Sequence, residues 1–232
     1  MHFSLKRIGA GLISVTVLLA AQFSAYATFP GKNGRIAFGR FDPNVGDLAL
    51  FTANPDGTDV HQLTFVPSLF SDWRADGQRI AFAFIDSDGN EQVGTIKPDG
   101  TDFQQITSGS SVHEVGSWSP TGNQIVFTYS AQSPDDPTFT TSVYIMNSDG
   151  SNQVQLTNGE GGYPIFVTPD QRSVYFVSAL QGRLWRMSLD GRDEVQVSET
   201  EVVEPAVSPD GKLAAYLRSK TASLHRAFDL PE

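Results

Sequence analysis

Between residues 29 and 218 the chain is cut into short runs of apolar, β-branched and aromatic residues, each closed by Gly, Asp, Asn or Pro. Ile80-Ala81-Phe82-Ala83-Phe84 and Ile125-Val126-Phe127 are apolar at consecutive positions. A strand with one wet face would alternate apolar and polar, so these runs predict strands covered on both sides. The intervening Asp-Gly pairs predict hairpins, because glycine takes the positive φ that a tight turn needs. Pro55, Pro98, Pro120 and Pro209 precede such turns and pre-set φ at an earlier turn position. Residues 28–232 carry no helical period, and the pattern predicts an all-β chain.

The strand signals repeat. "ADGQRIAFAF" (75–84), "PTGNQIVFTY" (120–129), "PDQRSVYFVS" (169–178) and "PDGKLAAYLR" (209–218) are copies of one unit, with a clipped first copy "NGRIAFGR" (33–40). A second element follows: "LFTANPDGTDVHQLT" (50–64), "VGTIKPDGTDFQQIT" (93–107), "VYIMNSDGSNQVQLT" (143–157) and "LWRMSLDGRDEVQVS" (184–198). Within it Asp56–Thr64, Asp99–Thr107, Asp149–Thr157 and Asp190–Ser198 are all eight apart. Each period holds four strands: an inner one around "SDWRA" or "GSWSP", a second such as "QIVFTY", a third such as "VYIMN" and a short outer one ending in Leu-Thr. A period of this length means stacked supersecondary units, and blades packed face to face provide the cover that the apolar second strands require. The first copy lacks an inner strand before Gly34, and the last, with "ASLHRAFDL" (222–230), stops before an outer strand. The expected architecture is therefore a β-propeller of four-stranded antiparallel blades, about four to five in number, in a ring that need not close. Open blade edges of that kind would permit self-association.

The combination of "WSPTGNQIVF" with "VYIMNSDGSNQVQLT" resembles the TolB-type, WD40-like propeller repeat, found also in the propellers of tricorn-like and prolyl-oligopeptidase-like peptidases. The resemblance covers residues 29 to 218. It implies the propeller fold and a non-catalytic, protein-binding scaffold in the cell envelope. The same repeats also occur in peptidases and glycan lyases, so the alternative is the propeller portion of a serine peptidase or polysaccharide lyase without its catalytic part.

The N-terminus sets the compartment. Lys6 and Arg7, an apolar run from Ile8 to Ala21, and small residues at Ala25 and Ala27 read as a signal peptide, residues 1–27, cleaved after Ala27. The apolar run is too short to span a bilayer as a helix, which takes about 20 residues. The expectation is a periplasmic or extracellular domain, residues 28–232, with no integral membrane span. The net charge of −10 argues against nucleic acid and anionic lipid as partners. The absence of cysteine leaves stability to the core.

Reaction chemistry is not visible. There is no Gly-x-Ser-x-Gly elbow, and His61, His113 and His225 lie in different copies without metal-ligand spacing. "DSDGN" (86–90) resembles the opening of a calcium loop, but its twelfth position is Lys97, so a plain turn is expected. Trp73 and Trp118 occupy matching points of inner strands and are expected to pack. No cofactor, metal or catalytic residue is expected. Length variation concentrates in the loops between second and third strands (39–47, 85–92, 130–142 and 179–182), which share a face with the connections between blades. Loops on a rigid scaffold carry binding groups. That face, with Asp42, Asp86, Asp88, Asp135 and Asp136 and the inter-blade residues Asp72, His113, Glu114, Tyr163 and Glu204, is the expected partner-binding surface.

Overall fold

The computed structural model describes residues 34–133, 136–157, 161–208, 212–217 and 224–229. The expected signal segment and Asp135 lie outside them, and Glu204 is described only in its backbone.

Five antiparallel sheets follow one another, each built from strands consecutive in sequence. The first has three strands, β1 (Ile36–Asp42), β2 (Asp47–Ala53) and β3 (His61–Gln62). The second has β4 (Ser68–Trp73), β5 (Ile80–Ile85), β6 (Glu91–Ile96) and β7 (Gln104–Gln105). The third has β8 (Val112–Trp118), β9 (Gln124–Ser133), β10 (Asp136–Asn147) and β11 (Val154–Gln155). The fourth has β12 (Gly162–Val167), β13 (Ser173–Ser178), β14 (Leu184–Ser188) and β15 (Val195–Gln196). The last has β16 (Val203–Val207), β17 (Leu213–Leu217) and β18 (Leu224–Asp229). The predicted series of three strands, three full blades and three strands is what forms.

The second strands explain the stacking. Ile80, Phe82 and Phe84 of β5 pack with Leu50 and Leu63 of the sheet before, while Ala81 joins Trp118, Ile125 and Phe127 of the sheet after. Strand β9 repeats the alternation, with Val126 turned to Val167, Val174 and Phe176. Tyr175 of β13 in turn meets Ala214 and Tyr216. Four clusters thus fill four seams. Phe82 and Phe127 are 0% exposed, each contributing about 1.5–3 kcal/mol by leaving water. Packing runs from each sheet to its neighbour, and β1–β3 and β16–β18 have no comparable packing on each other among the described residues. Among the described residues the sheets follow one another as an arc.

The eight-residue spacing has a cause at both ends. At its start, Asp56 Oδ1 accepts the Thr58 N–H at 3.0 Å, as Asp99 does for Thr101 and Asp149 for Ser151, while the following glycines take φ near +80° (Gly57 81°, Gly100 82°, Gly150 85°). At its end, a buried hydroxyl locks the outer strand to the third. Thr64 Oγ1 accepts the Leu50 N–H at 2.9 Å, Thr107 that of Val93 at 2.8 Å, Thr157 that of Val143 at 2.9 Å and Ser198 that of Leu184 at 2.9 Å. The turn also docks backward: Gly100 meets Leu63, and a Cβ on Gly150 or Gly191 would strike the carbonyl of Ile106 or Leu156.

One segment differs from expectation. The expectation is a loop over residues 130–142, but β9 and β10 carry their pairing out to Asp136↔Ser133, so much of this segment is paired strand. Thr140, Thr141 and Ser142 continue the β-branched and hydroxyl pattern, and Ser130 Oγ lies 3.1 Å from Thr141 Oγ1 across the pair.

Candidate functional site: the cavity at the inner strands

Each innermost strand is irregular. Pairing slips between Leu69 and Ser71 in β4, between Val115 and Ser117 in β8, between Pro164 and Phe166 in β12, and between Val203 and Ala206 in β16. An inner strand has one free edge, which is where proline and bulges are tolerated. The residues at these slips, Phe70, Gly116, Ile165 and Pro205, line a cavity of about 620 Å³ together with Glu114 and Tyr163. Phe70 holds a φ of 41° there, outside the usual range for a bulky residue. Gly116 permits the close approach of β8 to β12, since a Cβ would collide with the Pro164 ring and carbonyl.

The electrostatics are one-sided. Burial holds the Glu114 carboxyl above the usual carboxylate range. Burial and then the Glu114 charge push Glu91, at the start of β6, up to about 7. Burial and Glu114 also raise the Tyr163 hydroxyl. No Lys or Arg is among the lining residues, and neither Glu91 nor Glu114 has a cationic partner among the described residues.

Of the expected binding residues, the structure brings Glu114 and Tyr163 to the cavity. Glu204 is placed by its backbone in β16 next to Pro205. The structure places Asp72 and His113 elsewhere. Asp72 pairs with Ala81 near the far end of β4, away from the inter-sheet connections, and its Oδ2 accepts the Trp118 N–H at 2.7 Å. The Trp118 indole N–H donates back to the Asp72 carbonyl at 3.2 Å, so Asp72 clamps β4 to β8. Burial pushes its carboxyl up to about 6. His113 is 2% exposed. Its Nδ1 lies 3.3 Å from the Glu91 carbonyl, its ring is edge-on to Tyr129 at 5.2 Å, and burial lowers its pKa.

Asp86 is spent within its own turn, accepting the N–H groups of Asp88 and Asn90 at 2.9 Å each. Among the described residues no three His, Cys, Asp or Glu side chains gather as a metal site. Trp118 is fully buried and Trp73 packs against the first seam.

Phe70, Glu91, Pro164 and Pro205 escaped the sequence reading. Pro164 and Pro205 were open to it, since a proline inside a strand marks a free edge or a bulge. Phe70 and Glu91 carry no local signal.

The large apolar side chains that remain exposed add to this picture. Phe41, Phe65, Val66, Leu69, Phe70, Tyr163, Leu180 and Val203 lie toward the end that carries the inter-sheet connections and the loops between second and third strands, while Ile36, Val60, Phe103, Val154, Val195 and Leu213 lie toward the other end. Phe70 is 59% and Tyr163 45% exposed, and both also line the cavity.

No family profile matches the chain. It is similar to dipeptidyl-peptidase 5 of Porphyromonas endodontalis, 31% identical over 108 residues, which is 43% of this chain and 15% of that protein. In structure it is similar to TolB from Acinetobacter baumannii, with a TM-score of 0.71 and 20% identity over 87% of this chain and 52% of TolB. It is also similar to an oligogalacturonate lyase in complex with manganese, with a TM-score of 0.57 and 15% identity over 80% of this chain and 55% of the lyase. The chain therefore spans about half the length of the TolB it matches. What the five sheets of the described residues amount to is a β-propeller fold, similar to that of TolB.

Proposed function

We propose that this propeller is an exported, non-catalytic scaffold that binds a protein partner in the cell envelope through its connection end. The observation that carries the reading is the cavity at the connection end, with the exposed Phe70 and Tyr163 side chains in its lining. Interfaces are built from such aromatic anchors within a polar rim. The loops that vary most in length between copies lie at the same end, and the likeness to TolB supports the envelope setting. The direct test is cross-linking in the native host with the full chain and with Phe70→Asp and Tyr163→Asp. A partner that is captured by the wild type and lost with both variants supports the reading, and a partner captured equally by all three overturns it.

The second reading is the propeller portion of a peptidase or lyase. It is favoured by the 31% identity to dipeptidyl-peptidase 5 over 108 residues, which are 15% of that protein. Co-purification of the chain with a hydrolytic polypeptide, in fixed ratio and with dipeptidyl-substrate cleavage, would establish it in place of the first.

A further inference from the structure

The cavity is apolar over most of its wall, with Val115, Pro164, Ile165 and Pro205 beside the Phe70 and Tyr163 rings. Within that wall stands one carboxylate, Glu114, half-buried and without a cationic partner among the described residues. A second, Glu91, is close enough to feel the Glu114 charge. The volume of about 620 Å³ is in the range of pockets that enclose a ligand group, roughly 300–1,000 Å³.

The chemistry of the wall selects among occupants. An acidic side chain would meet Glu114 and a chain of net charge −10. A purely apolar one would complete the removal of Glu114 from water without giving it a partner, which is costly. A Lys or Arg side chain answers both parts of the wall, since its methylene stem lies along apolar surface while its head meets the carboxylate. Aromatic rings beside a cation add attraction through their electron-rich faces.

We infer that the cavity seats one basic side chain from an extended segment of the partner, with Glu114 as its counter-charge and Phe70 and Tyr163 as its aromatic walls. This rests on the proposed docking reading and specifies the chemistry of its central contact. It implies that the partner presents a Lys or Arg flanked by apolar residues.

The test is selection of a random heptapeptide display library on the mature protein, on Glu114→Gln and on Tyr163→Ala. The expected result is enrichment on the wild type of sequences sharing one Lys or Arg, and loss of that residue from sequences selected on Glu114→Gln. An enriched peptide should bind about tenfold more weakly when its basic residue is replaced by norleucine, and its affinity should fall with added salt. Because the norleucine comparison alters only the peptide, it holds even where a variant fails to fold. Enrichment of neutral sequences that require Tyr163 would overturn the basic contact while leaving the docking surface intact. Sequences no different from those on the Tyr163→Ala protein would overturn both.

Discussion

Replacing Thr107 by valine tests the hydroxyl lock that closes each sheet. Thr107 is buried, its Oγ1 accepts the Val93 N–H at 2.8 Å, and its hydroxyl donates to Gln92 Oε1 at 2.8 Å. Valine keeps the shape and strands both partners in a seam that is closed to water. Leaving a buried polar group unpaired costs about 1–3 kcal/mol, and the extra methyl returns about 0.8 kcal/mol, so a net loss of about 2 kcal/mol is expected. For a chain of this size that is a fall in Tm of about 4–8 °C. Thr107→Ser keeps the hydroxyl and gives up one methyl, so it should cost less than valine does. The fourth copy already carries Ser198 in this role. Urea unfolding read by tryptophan fluorescence, with Trp118 as the buried reporter, measures the global loss. Hydrogen exchange at the Val93 amide measures the local one. If Thr107→Val matches the wild type, or is more stable than Thr107→Ser, the lock is not what fixes the eight-residue spacing.

Gly116→Ala would drive a Cβ into the Pro164 ring and carbonyl, so overpacking between β8 and β12 should cost about 1–3 kcal/mol in a thermal melt. An unchanged Tm would mean that the two strands do not approach as closely as described. Glu91→Gln addresses pH. Burial and Glu114 raise Glu91 from 4.5 to about 7 on folding, so the folded state holds a proton that the unfolded state releases. The resulting stability is complete below about pH 4.5 and is lost as pH rises through about 7. The full shift corresponds to about 3 kcal/mol, which solvent around this half-buried group reduces to about 1–2 kcal/mol. Glu91→Gln should therefore be more stable than the wild type at pH 8, with the difference vanishing near pH 4. Parallel stability curves across that range would contradict the assignment.

The architecture was legible because its determinants are local. Asp-Gly turns, their prolines and the Thr or Ser eight residues on are short-range signals, and four copies of them fix the strands of five sheets. The two-faced apolar strands added the stacking, since Phe82 and Ala81 could only both be buried between neighbours. The cavity was less legible because it depends on register. Asp72 and His113 read in the sequence as inter-blade residues of one face. Pairing with β5 instead sets Asp72 against Trp118, and the pairing of β8 with β9 sets His113 against Tyr129. The bulge at Phe70 has no composition of its own, whereas those at Pro164 and Pro205 announced themselves by a residue that a regular central strand excludes.

The backward docking of the Asp-Gly turns gives the molecule a direction. Gly100 rests on Leu63, Gly150 on Ile106 and Gly191 on Leu156, so each hairpin finds its floor in residues that precede it in the chain. During synthesis those residues emerge from the ribosome first. A nascent chain can thus lay down one sheet on a finished predecessor without waiting for distant sequence, which suits a fold whose contacts reach only as far as the next repeat.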